Sequence, residues 1–267
     1  MALGRPSRGA TSLISIASRT FSDAVKNEVV IPYVQNGEID LAFNFDLAFA
    51  IIRGLNEANA SVIIEQVNKG RAMFPKGQYG IFSANHDMDR LLTQLNSDPQ
   101  KAKAAASITL TLPGVPFIYY GEEIGLKGYA PDSGGRLPMQ WSGEQNAGFS
   151  VTTAWLPPGE DFKTFNVQNE QGKPLSLLTH YQKLIALRNQ SEVMRRGEVF
   201  TPGISHPEVY CTLSVLNGEA ILVIVNLSDH PVTQYHLSLA SSSLPAGQYS
   251  VTNLFGNPPA KNVTINA

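Results

Sequence analysis

Hydrophobic residues along this chain keep two different periods, and the change between them falls near Gly197. Before that point, short apolar runs that read as strands are followed by stretches with apolar residues three and four apart, which read as helices. Val29-Val-Ile-Pro-Tyr33 leads to a turn at Asn36-Gly37, and Ile39 to Phe45 reads as a buried strand ending in Asn44-Phe45-Asp46. Leu47, Ile51, Leu55, Ala58 and Val62 recur at helical spacing, with Asn59 and Ser61 marking a break and a fresh cap. Pro75 closes that unit. A second strand is predicted over 79–84, followed by a helical run at Leu91, Leu92 and Leu95. Asp98-Pro99 then supplies an N-cap and a proline suited to the first helical position of an Ala-rich helix, which Pro113-Gly114 ends. A third strand, 115–120, is wholly apolar or aromatic, as a strand covered on both faces should be.

Residues 126–174 form a Gly- and Pro-rich excursion far longer than an ordinary strand-to-helix loop, and loops of that length commonly shape a site. Leu177, Leu178, Tyr181, Leu184, Ile185 and Leu187 mark a closing amphipathic helix with Arg188, Arg195 and Arg196 near its end. Beyond Gly197 the period becomes alternating. Val209 to Leu216 and Ala220 to Leu227 flank Asn217-Gly218, a two-residue hairpin turn, and further short strands fall near 232–239, 247–254 and 262–266. The expected organisation is an unassigned start at 1–27, strand–helix units over 28–196, and a small antiparallel β domain, a sandwich, over 197–267.

Composition narrows the function classes. A formal net charge of −2 gives no electrostatic reason to expect nucleic acid or an anionic membrane as partner. No apolar run reaches the length of a membrane span. Cys211 is the one cysteine, so an intrachain disulfide and a cysteine-based metal site are excluded, and the five histidines are dispersed. Residues 1–27 carry Arg5, Arg8 and Arg19 around Leu13-Ile-Ser-Ile-Ala17 and have no acid before Asp23. They read either as a targeting presequence or as a disordered start left by a truncated gene. The second reading is preferred, because so little apolar area cannot order itself, and the cytoplasm is the favoured compartment.

Candidate chemistry concentrates in Tyr79-Gly-Ile-Phe-Ser-Ala-Asn-His-Asp87, where a strand ends in an amide, an imidazole and a carboxylate. An ionised carboxylate beside an imidazole can bind vicinal hydroxyls and stabilise developing positive charge. The plainer alternative is a strand-to-helix turn in which Asp87 caps the next helix.

Phe82-Ser-Ala-Asn-His-Asp87 with Arg90 resembles the last conserved block of the alpha-amylase superfamily of glycoside hydrolases. Val115-Pro-Phe-Ile-Tyr-Tyr-Gly-Glu-Glu-Ile-Gly125 resembles its eighth barrel strand and the loop after it. Arg136-Leu-Pro-Met-Gln-Trp141 with Asn146-Ala-Gly-Phe149 resembles a segment of its oligosaccharide-acting members, the alpha-glucosidases, oligo-1,6-glucosidases and trehalose synthases. The resemblance runs from about Glu28 to the end and implies an α/β fold: the last three βα units of a TIM-type barrel, N-terminally truncated, followed by the β domain. It implies that Asp87 is the transition-state stabiliser and His86 its companion. Asn85, Arg90, Tyr119, Tyr120, Arg136, Gln140 and Trp141 become candidate contacts to an alpha-linked gluco-oligosaccharide. For Tyr119 the plainer reading is core packing, for Glu122 and Glu123 a solvated or capping role, and for Trp141 a loop anchor.

The superfamily takes its nucleophile from an Arg-x-Asp motif and its acid/base from a Glu one strand later. No Arg-x-Asp occurs among the 267 residues, and Glu28 and Glu38 follow the acid/base strand. The expectation is therefore a glycosidase of alpha-glucosidic bonds that is inactive by itself. Two rivals stand beside it: a non-catalytic carbohydrate-binding remnant, and an interaction protein completed by a chain supplying the missing strands. No cofactor is expected; the calcium known in the family draws its ligands largely from regions absent here.

Overall fold

The computed structural model of the chain describes residues 26–130, 132–239, 242–255 and 262–265. Of the segment 1–27 only the last two residues are among them, and the reading of the remainder lies outside. Asn27 already opens a helix, α1 (Asn27–Gln35), which contains Pro32 and turns out at Gly37 in the left-handed region.

Three short strands, β1 (Ala42–Phe43), β2 (Tyr79–Ile81) and β3 (Val115–Pro116), pair in that order as a parallel sheet. Ala42 lies opposite Tyr79, and Gly80 opposite Val115. Helices α2 (Phe45–Asn56) and α3 (Ala60–Met73) link β1 to β2. Helices α4 (Leu91–Gln94) and α5 (Pro99–Thr111) link β2 to β3. The local signals for these helices hold. Asn59 accepts the Ser61 N–H at 3.1 Å and re-caps α3, and Asp98 accepts the N–H groups of Gln100 and Lys101 ahead of Pro99.

The strands are shorter than their apolar runs predict, and two expectations need correction. Ile39 to Phe45 is not one strand: the Asn44 side chain accepts the Leu47 N–H at 3.0 Å, and α2 starts at Phe45. Nor is the third strand covered on both faces, since Val115, Phe117, Ile118 and Tyr120 are exposed. The reason is one-sided packing. Tyr79 and Ile81 point into the main core with Ile51, Leu55, Ile63 and Ile108. On the opposite face Phe43 and Phe117 meet over Gly80, where an added Cβ would lie 2.9 Å from the Phe43 ring and 3.2 Å from that of Phe117.

After α6 (Val167–Glu170), the closing helix α7 (Leu177–Gln190) buries Leu177, Tyr181, Leu184 and Arg188, while Ile185, expected on its apolar face, is exposed. The Arg188 guanidinium donates to the carbonyls of Leu110 at 3.0 Å, Leu112 at 2.8 Å and Gly114 at 2.7 Å. Those carbonyls lie in the last turn of α5 and just past it, where a helix leaves acceptors unpaired. A long cation therefore outcompetes an aliphatic side chain for the buried position.

Helix α8 (Glu192–Arg196) leads to β4 (Glu198–Phe200), β5 (Gly203–Ile204), β6 (Val209–Leu216) and β7 (Glu219–Asn226). The predicted hairpin is present: Leu216 pairs with Glu219, and Asn217 and Gly218 have φ of 51° and 83°, the primed turn that matches strand twist. β8 (Leu237–Ser238), β9 (Gly247–Ser250) and β10 (Asn262–Ile265) complete the described strands. Among the described residues they form a sheet of order β4-β6-β7 and two separate ladders, β5-β8 and β9-β10, and the expected sandwich is not established. Val199, Tyr210 and Leu227 join the same core as the helices.

Replacing Arg188 by Met keeps the buried stem but strands three carbonyls, at a cost of about 3 kcal/mol. The urea unfolding midpoint should drop accordingly, while Arg196→Met, on the exposed end of α8, leaves it in place. An unchanged midpoint for Arg188→Met would show that water satisfies those carbonyls.

Candidate active site

The candidate site is built on the loop after the middle strand. Phe82 is buried against Phe43 and Phe45, with ring centroids 5.1 and 4.9 Å away, which anchors the start of that loop. The Asn85 side chain accepts the Asp87 N–H at 2.9 Å and turns the chain sharply. Asp87 consequently stands out toward solvent, 35% exposed, with Oδ2 3.2 Å from His86 Nε2 and Oδ1 3.3 Å from Arg136 Nη2. Exposed ion pairs are worth roughly 0–1 kcal/mol, so this grouping does little for stability. It leaves a carboxylate flanked by an imidazole and a guanidinium, all open to a ligand. Asp87 does not cap the next helix; α4 has Arg90 at its N-cap, with no side-chain cap bond.

Arg90 and Gln140, both expected as ligand contacts, are closed to solvent at 1% and 0% exposure. The Arg90 Nη1 donates to the Tyr120 carbonyl at 2.6 Å, and its guanidinium carbon lies 4.6 and 4.5 Å from the ring centres of Tyr119 and Tyr120. Burial lowers the Arg90 pKa below its ordinary value. The Gln140 amide donates to the Phe165 carbonyl and ties down the long loop. Trp141 is half exposed, its backbone N–H bonded to the Ala147 carbonyl at 2.9 Å. The structure thus brings Asn85, His86, Asp87 and Arg136 together and joins Arg90 to Tyr119 and Tyr120. Among the described residues no hydrogen bond or ion pair links Gln140 or Trp141 to Asp87.

Glu122, expected to be solvated or capping, is buried, and its Oε1 accepts the Tyr181 hydroxyl at 3.1 Å. Burial pushes its carboxyl up to about 8 and carries the Tyr181 phenol well above its ordinary value. Gly121 and Gly125 bracket the turn that carries Glu122, and both take left-handed φ. Among the described residues no group of three or more His, Cys, Asp and Glu is arranged to hold a metal ion, and no helix is long and apolar enough to cross a membrane.

Comparison with known proteins bears on this geometry. Residues 18–197 match the family model described as alpha amylase, catalytic domain, beginning before Glu28 and ending where the hydrophobic period changes. Alpha-amylase 3 of Dictyoglomus thermophilum is 31% identical over 192 residues, covering 70% of this chain and 38% of that protein. The probable oligo-1,6-glucosidase 2 of Bacillus subtilis is 28% identical over 223 residues, covering 67% and 40%. The crystal structure of the alpha-amylase from H. orenii superposes with a TM-score of 0.73 at 30% identity, over 90% of this chain and 49% of that one. The chain spans less than half the length of each of these three.

The buried Glu122 generates a pH dependence. Burial raises its carboxyl to about 8 in the folded chain, against about 4.3 when unfolded. Between those values the folded state holds the extra proton, so stability is greatest below the unfolded value and falls as pH rises toward 8. The slope from this one group is at most about 1.4 kcal/mol per pH unit. Glu122→Gln keeps the shape and an acceptor for Tyr181. Urea midpoints measured from pH 5 to 8 should decline in the parent chain and stay flatter in the variant; parallel curves would refute the assignment.

Proposed function

This chain belongs to the alpha-amylase family, and on that premise we propose that it is the sugar-gripping half of a glycosidase centre for alpha-glucosidic bonds. The observation that carries this reading is the placement of Asp87 between His86 and Arg136 in the loop after the middle strand. Retaining hydrolysis needs a nucleophile and an acid/base about 5–5.5 Å apart, and an oxocarbenium-like charge forms between them. Asp87 accepts from vicinal sugar hydroxyls and favours that charge, while His86 donates to the same hydroxyls. Arg136 holds one carboxylate oxygen and leaves the remaining lone pairs for the sugar. The oligo-1,6-glucosidase among the relatives supports an alpha-linked gluco-oligosaccharide as ligand.

The bond-breaking pair lies outside this proposal for the chain itself, because no Arg-x-Asp motif occurs in its 267 residues. Further barrel strands would supply it. The exposed Val115, Phe117, Ile118 and Tyr120 beside the sheet edge leave an apolar face for such strands.

The chain is incubated with para-nitrophenyl alpha-glucoside and with maltotriose, beside an Asp87→Asn variant. Neither should show turnover, since loss of groups acting as a unit costs roughly 10⁴–10⁶ in rate. Turnover that Asp87→Asn abolishes would sink the half-site reading. Calorimetric binding of maltotriose should weaken about ten-fold in Asp87→Asn, the effect of one charge-assisted hydrogen bond. Unaltered binding would remove Asp87 from the sugar contacts.

A further inference from the structure

Tyr119 and Tyr120, expected from the sequence as aromatic platforms for a sugar, use their hydroxyls for something else. The Tyr119 hydroxyl donates to the Gly135 carbonyl at 2.8 Å, and the Tyr120 hydroxyl donates to the Leu137 carbonyl at 2.7 Å. Those two carbonyls belong to the residues on either side of Arg136. The rings themselves are set by Arg90: their centroids are 4.9 Å apart at 68°, and the buried guanidinium carbon lies within 4.6 Å of both.

We propose that Tyr119 and Tyr120 are positioning residues that clamp the backbone on both sides of Arg136 and so hold its guanidinium on Asp87, with Arg90 fixing the two rings. The ion pair cannot do this unaided. Arg136 and Asp87 are 39% and 35% exposed, and a pair in that setting is a weak restraint on a long side chain. The backbone leading to Arg136 is also intrinsically loose, since Gly134 and Gly135 precede it.

Gly135 is nonetheless seated tightly. An added Cβ would lie 3.3 Å from the His86 carbonyl and 3.6 Å from that of Met88. The loop therefore rests directly on the turn that carries Asp87. Two hydroxyl bonds, one on each side, convert that contact into a fixed approach for the arginine. This deepens the proposed function and rests on it only for the use to which Asp87 is put; the clamp itself is a matter of geometry.

The test separates the two. Tyr119→Phe/Tyr120→Phe keeps both rings on Arg90 and removes only the hydroxyls. Backbone ¹⁵N relaxation is measured at residues 135–137, and side-chain relaxation at Arg136 Nε, in the parent chain, in this variant and in Asp87→Asn. In the parent chain the backbone order parameters should sit near the rigid value of roughly 0.85. In the double variant they should fall below about 0.6, with Arg136 Nε loosening alongside. In Asp87→Asn the backbone should stay rigid and only the side chain should loosen, a distinction that a merely structural tyrosine would not produce. Unfolding midpoints confirm that the variants are folded, and the two single Tyr→Phe changes are read if the double variant is not. A rigid 135–137 segment in the folded variant, or a mobile one in the parent chain, overturns the clamp. Failure of maltotriose to bind would bear on the proposed function and leave this result untouched.

Discussion

The buried guanidinium of Arg90 is the interaction on which the site end of the molecule depends. Taking such a cation out of water is costly unless its surroundings answer the charge. Here the Tyr120 carbonyl takes one N–H and the rings of Tyr119 and Tyr120 lie against the guanidinium, a contact worth about 2 kcal/mol when desolvated. Nε and Nη2 are buried without a hydrogen-bond partner among the described residues, so the rings carry most of the compensation. The Arg90 backbone N–H donates in turn to the Gly128 carbonyl at 2.9 Å, and Asp89 accepts the Ala130 N–H at 2.6 Å. One short stretch thus ties the loop after the second strand to two parts of the loop after the third. The ties are polar and at least partly buried, so breaking one leaves groups with reduced access to water unpaired.

The same solution recurs where the parallel strands meet their helices. Arg188 gathers the carbonyls released at the end of α5, and Glu122 is folded inward onto the Tyr181 hydroxyl. The sheet offers little ladder to hold these junctions, since β1 and β3 are two residues each. The apolar core lies on one face, where Ile51, Leu55, Ile63 and Ile108 cover Tyr79 and Ile81. Specific buried polar contacts, and not strand length, fix how the loops leave the sheet.

That division of labour has a functional consequence. Arg90, Glu122 and Arg188, which fix the loops, are closed to solvent, while His86, Asp87 and Arg136, the groups proposed to meet a ligand, are open. A carboxylate whose ion pairs are exposed and weak keeps the capacity to grip hydroxyls and stabilise positive charge. The phenylalanine face over Gly80, with Phe117 and Ile118 exposed beside it, lies on the side of the sheet away from the main core and meets the start of α2 through Phe45.

The chain by itself determined whatever depends on residues within one helical turn. The caps at Asn59 and Asp98, the Asn217-Gly218 hairpin and the strand–helix succession each follow from neighbouring residues, and each is present. The family blocks were legible for a related reason, being contiguous runs of residue types. Tertiary structure alone decided the rest, because the deciding partners lie far apart in sequence. Arg136 reaches Asp87 across 49 positions, Glu122 meets Tyr181 across 59, and Arg188 finds Leu110 across 78. The local pattern favoured Ile185 for burial and solvent for Glu122. In the folded chain three unpaired carbonyls and one phenol hydroxyl had the stronger claim, since a buried polar group left without a partner costs more than an exposed aliphatic one.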